Sequence, residues 1–112
     1  MHMHAGARKL RGMKHQLRMY VIKPGEMEAW IDEWSTQLVP LRRRYGFEVL
    51  GAWTTDGTDG KDRFVWILHL AGPKSWADAE ADYYGSPERK ALSPDPARHI
   101  ASQEHWLITP AL

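Results

Sequence analysis

The chain contains no cysteine. That excludes disulfides, thiol nucleophiles and thiolate metal sites together. Charge of either sign is also lacking in excess: 15 Lys and Arg oppose 14 Asp and Glu, for a net +1. No strong field toward nucleic acid or a membrane surface follows from such a balance. No apolar run approaches the roughly 20 residues that a membrane helix needs. There is no nucleotide-binding glycine motif, because Gly57 and Gly60 sit in the Asp/Gly-rich stretch DGTDGKD. Zinc-type and facial-triad spacings are missing as well, and no metal is expected: His99 and His105 have no carboxylate at ligand spacing. What the chain has in quantity is tryptophan, six in 112 residues. Rings of that size require a large buried surface, which in a small domain points to an interface or a pocket.

The length suits a single domain. Residues 1–12, MHMHAGARKLRG, are basic and without apolar periodicity. They read as a disordered tail, too short and polar for a secretory signal, in which His2 and His4 could hold a metal only weakly. The expected location is the cytoplasm, and the domain is expected to span 13–112.

QLRMYVIKPG (16–25) sets the frame. Leu17, Met19 and Val21 alternate with Arg18, Tyr20 and Ile22 on opposite faces of a strand that Pro24-Gly25 ends. A first helix begins near Glu26, with an apolar stripe of Met27, Trp30, Ile31, Trp34 and Leu38. Pro40 should interrupt it, the Arg42–Arg44 run reads as its solvated carbonyl end, and Gly46 is the stop. Strands over 47–55 and 63–71 flank a hairpin turn. Ser75 caps a helix over 76–84, Pro87 opens a short one, and a last strand covers 103–109.

The order β-α-β-β-α-β matches an α+β, ferredoxin-like plan with a four-stranded antiparallel sheet. With helices on one side, the other face would be bare in a monomer. Parity along the strands assigns Phe47, Trp53, Phe64 and Trp66 to that bare face. Such a face is an association site, and the simplest closure is a two-fold homodimer with sheets face to face.

Three stretches, QLRMYVIKPGEMEAWIDEW (16–34), PLRRRYGFEVLGAWTT (40–55) and ILHL (67–70) leading to KSWADAEADYYGSPERKAL (74–92), resemble the NIPSNAP family of the dimeric α/β-barrel superfamily. His69 matches a histidine that the family often carries in its third strand, whereas Ala71 and Pro73 stand where the family often has aromatic residues. The resemblance implies a fold and a dimer more than an activity. Relatives in the wider superfamily resemble cofactor-free monooxygenases of aromatic polyketides, haem-degrading enzymes, and small isomerases or dehydratases. Their ligands usually lie between sheet and helices.

If the hairpin pairs Trp53 with Phe64, Glu48 lies opposite His69, and the reading puts both on the helix side with Arg18 and Tyr20. A base (His69), its orienting acid (Glu48), a phenol (Tyr20) and a cation (Arg18) would then converge. Trp30, Trp34, Leu50 and Ile67 would line the ligand pocket. Such a set could abstract an acidic proton and stabilise the resulting enolate or phenolate without a cofactor. A one-residue slip would scatter it. The plainer alternatives are a hydrogen-bonded core histidine at 69, an Arg18–Glu48 ion pair, and Trp30 and Trp34 as helix core. The functional expectation is an enzyme or binder for a small aromatic or polyketide-like ligand. Its rivals are a non-catalytic small-molecule or partner-binding dimer, and a haem protein with His69 as ligand.

Overall fold

The structure, a computed structural model, describes residues 13–112. The basic tail with His2 and His4 lies outside the described residues. Strand β1 (Met13–Ile22) carries the expected alternation. Gln16, Arg18, Tyr20 and Ile22 are buried, whereas Leu17, Met19 and Val21 are half-buried. Helix α1 (Met27–Glu33) runs into a π-helical segment (Trp34–Leu38) and then α2 (Val39–Arg44). The interruption thus precedes Pro40. Proline cannot donate to the carbonyl four residues back, so the ladder widens beforehand, with the Val39 N–H reaching the Trp34 carbonyl. The Thr36 and Ser35 hydroxyls donate to the Asp32 carbonyl at 2.6 and 3.2 Å.

Strands β2 (Phe47–Thr54) and β3 (Asp62–Ala71) form the hairpin. Helix α3 (Trp76–Gly85) starts at a Ser75 cap whose Oγ accepts from the Asp78 N–H at 3.1 Å. A short α4 (Pro87–Lys90) and a 3₁₀ turn (Pro96–His99) lead into β4 (Ile100–Ile108), which begins earlier than its apolar pattern suggests. The sheet is antiparallel, in the order β2-β3-β1-β4. This is the ferredoxin-like α+β arrangement.

One irregularity decides which residues share a face. Glu48 pairs with His69 and Val49 with Leu68, but Gly51 pairs with Ile67, leaving Leu50 as a bulge. Beyond it Trp53 pairs with Val65, not Phe64. Phe47 therefore points to the helices while Trp53 points away, its ring folded over Gly51: a Cβ there would lie 2.6 Å from the Trp53 indole. The bare-face quartet is accordingly corrected. Phe47, Phe64 and Trp66 are 0%, 2% and 2% exposed within the helix–sheet core, and Trp53 alone of the four is on the open face, 55% exposed. The heavier stripe of β3 (Phe64, Trp66, Leu68, Leu70) is needed to fill the layer under the helices. Trp34 meets Phe64 and Trp66 edge-on at 4.9 and 5.4 Å, and Tyr20 meets Trp30 at 5.5 Å.

The start of β4 is tied to α1 by charge. His99, 4% exposed, has Nδ1 2.7 Å from Glu26 and Nε2 2.9 Å from Glu33, and Arg98 forks onto the same Glu33 at 2.7 and 3.0 Å. With a carboxylate at each ring nitrogen, both nitrogens donate and the ring is an imidazolium. The hydrogen bond to Glu33, then that to Glu26, raises the His99 pKa above 6.5 against the opposing effects of burial and of Arg98. A pKa raised in the folded state gives stability that is full below the unfolded value. It is lost as pH rises through the folded value. Thermal melts should therefore decline from about pH 6.5 upward in the native chain, and His99→Gln should flatten that decline. An unchanged alkaline slope in the variant would refute the clamp.

Candidate functional site

A polar cluster lies inside the helix–sheet layer. Arg18 projects from the middle of β1 between Gln16 and Tyr20, which share its face. Arg42 comes from α2. Glu80 and Tyr84, one helical turn apart on α3, reach the same point. Glu80 Oε1 accepts from Arg42 Nη1 at 2.7 Å and from Arg18 Nη1 at 3.3 Å. The Tyr84 hydroxyl accepts from Arg18 Nη2 and Arg42 Nη2, both at 3.1 Å. Arg18 also donates from Nε to the Tyr20 hydroxyl at 2.7 Å and from Nη1 to Gln16 Oε1 at 2.9 Å.

Arg18 and Arg42 are 1% and 2% exposed. Two buried guanidinium groups thus share one carboxylate. Aromatic faces supply the remaining stabilisation: the Arg42 guanidinium sits 4.0 Å from the Tyr83 ring centre and 4.8 Å from that of Phe47. Burial opposes the Arg18 charge, yet Tyr20, Tyr84 and Glu80 hold its pKa above the ordinary arginine value. Burial raises the Tyr20 pKa, against the pull of Arg18, so its phenol stays protonated at neutral pH.

Beside this cluster is a cavity of about 80 Å³, its wall including Tyr20, Trp30, Arg42, Trp66, Tyr84, Arg89 and Gln103. His105 pairs with Arg18 across β1 and β4, stands edge-on to Tyr20 at 6.3 Å, and lies with Nε2 2.8 Å from Gln103 Oε1. Burial, then the nearby Arg18, lowers the His105 pKa below 6.5. The ring is neutral at pH 7 with its proton on Nε2, so Nδ1 is a free base.

The sequence-derived constellation is split by the sheet. Arg18, Tyr20, Trp30 and Trp34 lie on the helix side, and Tyr20 and Trp30 do line the cavity. Glu48 pairs with His69 as expected, but on the open face, together with Leu50 and Ile67. Odd-numbered residues of β3 face away from the helices, so His69 cannot join Arg18. It stacks on His15 at 5.7 Å, and Glu48 lies 3.9 Å from Arg43. Sequence reasoning missed Arg42, Glu80, Tyr84 and His105. The i, i+4 spacing of Glu80 and Tyr84 was a usable signal; Arg42 was hidden in an arginine run of which Arg43 and Arg44 are exposed. Among the described residues no cluster of His, Asp or Glu could hold a metal ion, and no helix is long and apolar enough to cross a membrane.

A family model of NIPSNAP matches residues 15–112. The chain belongs to the NIPSNAP family. Its fold is similar to that of a NIPSNAP family protein from Agrobacterium tumefaciens, with a TM-score of 0.75 at 17% identity over 88% of this chain and 85% of that one. A NIPSNAP domain protein from Burkholderia xenovorans aligns with a TM-score of 0.70 at 20% identity, covering 88% and 94% of the two chains. A putative antibiotic biosynthesis monooxygenase from Bacteroides thetaiotaomicron aligns at 0.62 and 14% identity, covering 92% and 93%. These likenesses establish the fold of this NIPSNAP chain. No curated protein matches it.

The buried charge balance is open to measurement. Glu80→Ala strips the carboxylate from two buried cations and should cost about 3 kcal/mol of stability in urea denaturation. Arg42→Met combined with Glu80→Gln should recover much of that loss. A cost for Glu80→Ala below about 1 kcal/mol would mean that water already screens the cluster.

Proposed function

We propose that this NIPSNAP chain is a cytoplasmic, homodimeric, cofactor-independent enzyme for a small aromatic ligand. The ligand occupies the cavity between the sheet and the helices, where a proton is abstracted from it. The observation that carries the reading is the Arg18–Glu80–Arg42 cluster set against an aromatic-walled cavity. Fixed, buried cations beside an aromatic wall favour a reaction in which negative charge develops.

The roles follow from position. His105, an exposed residue that adjoins the cavity wall through Tyr20 and Gln103, is the base, with Nδ1 free. Tyr20, whose oxygen already receives a guanidinium N–H, can turn its hydroxyl proton toward the new oxyanion. Trp30, Trp66 and Tyr84 give the cavity its aromatic lining. The proton passes to His105, and the enolate or phenolate is held by the Tyr20 hydroxyl and the Gln103 amide. In the monooxygenase form of the reaction, the carbanion form of the enolate or phenolate gives electrons to dioxygen and forms a C–O bond. The resulting hydroperoxide loses water to leave a carbonyl, so the substrate itself supplies the electrons, one oxygen atom stays in the product and the other leaves as water. The monooxygenase-like fold neighbours support this chemistry by analogy. His69, on the opposite face, has no part in it.

The test is oxygen uptake with a panel of phenols, hydroquinones and aromatic ketones. Turnover is expected with at least one of them, falling about 100-fold in His105→Asn. Full activity in that variant would eliminate His105 as the base. Absence of both turnover and binding across the panel would shift the reading to a partner-binding role.

The homodimer rests on the open face, where Trp53 and Trp106 are 55% and 45% exposed beside half-buried Leu17, Met19, Val65 and Ile67. Trp53→Asp should sediment as a monomer with an unchanged circular dichroism spectrum, whereas Trp66→Asp should unfold the chain. A Trp53→Asp protein that remains dimeric would move the interface elsewhere.

A further inference from the structure

The wall of the cavity has a one-sided hydrogen-bonding chemistry. The Tyr84 oxygen already accepts from two arginines and the Tyr20 oxygen from one, so in each case the hydroxyl proton is what remains to be offered. Gln103 Oε1 is engaged by His105, which leaves the amide N–H groups free. Arg89, 9% exposed, binds Asp95 through Nη2 at 3.0 Å, while its buried Nε has no partner. The indole N–H groups of Trp30 and Trp66 are buried and unpartnered, but so are those of Trp34 and Trp76 away from the cavity, so among these groups it is Arg89 Nε that marks the site. Buried donors without acceptors are costly and rare in folded proteins. Here every polar side chain named on the wall has a donor to spare or a strong acceptor already taken.

The charge count points the same way. Arg18, Arg42 and Arg89 meet only Glu80 and Asp95 as ion-pair partners, so one positive charge is left over. One unit of negative charge would neutralise the cluster. A phosphate ester, at about −1.5 to −2 near neutral pH, would overshoot.

We infer that the cavity is built for a small monoanionic oxyacid, a carboxylate on a flat apolar body. The carboxylate fills the cavity of about 80 Å³ against Arg42, Arg89 and Tyr84, and the flat body, too large for that space, lies at its open side beside the exposed Tyr84 and Gln103. This deepens the proposed function and rests on it, since it takes the cavity to be a ligand site. It also divides the donors by task. Arg42, Arg89 and Tyr84 bind the anion that the ligand brings. Tyr20 and Gln103, the wall residues in contact with His105, are left for the atom that gains charge in the reaction.

Isothermal titration at low salt tests this with benzoate and phenylacetate against their neutral isosteres benzamide and phenylacetamide. The acids should bind at least tenfold more tightly than the amides. Arg89→Met, which leaves the Arg18–Glu80–Arg42 cluster untouched, and Tyr84→Phe, which keeps the cluster's ion pairs but removes an acceptor from both arginines, should each weaken the acids by roughly tenfold and leave the amides unaffected, with unchanged thermal stability as the control for Tyr84→Phe. Equal binding of acids and amides overturns the inference while leaving the aromatic cavity reading in place. Acid binding that survives both substitutions overturns it as well, because the anion is then held elsewhere. Failure of all four compounds to bind at millimolar concentration removes both the inference and the reading beneath it.

Discussion

Two buried guanidinium groups on one carboxylate are the constraint from which the rest of this structure follows. Desolvating Arg18 and Arg42 is costly unless nearly every N–H finds a partner. Glu80, Tyr84, Tyr20 and Gln16 are those partners, and they come from β1 and α3 while Arg42 comes from α2. The cluster thus sets how the helices sit on the sheet. The cavity lies beside it, with Arg42 and Tyr84 in its wall.

The bulge at Leu50 is the second constraint, and it acts on the opposite face. A single extra residue reverses the parity of β2, so Phe47 enters the core and Trp53 leaves it. The open face thereby acquires a large aromatic residue over a sheet of half-buried aliphatic ones. His69 and Glu48 belong to that face. The pair that looked catalytic in one dimension is separated from the cationic cluster by the thickness of the sheet.

Membership of the NIPSNAP family and the monooxygenase-like fold neighbours define a scaffold, and scaffolds of this kind do not determine a reaction. The chemistry has to come from the residues between the layers. There the positive charge is in excess, the free side-chain groups are donors, and the walls are aromatic. These three features are what the proposed anion-handling role rests on.

Much of the fold was legible without coordinates. The alternation Leu17/Arg18/Met19/Tyr20, the stop at Pro24-Gly25, the Ser75 cap and the helical stripe of Trp30 and Trp34 are local signals, and each appeared where its chemistry required. Even the pairing of Glu48 with His69 was correct. The glycine at 51, inside a strand, was the available hint of a bulge. Which stripe of β3 faces the helices was not local information. It depends on how side-chain volume fills a layer shared with α1 and α3, and that choice placed Phe64 and Trp66 inside and His69 outside. Likewise nothing near Arg42 in the chain distinguishes it from Arg43 and Arg44. Only the packing of α2 against Glu80 and Tyr84 singles it out. Composition and periodicity determined the elements and their order. The tertiary structure decided the site, because burial and charge pairing are properties of residues brought together from distant parts of the chain.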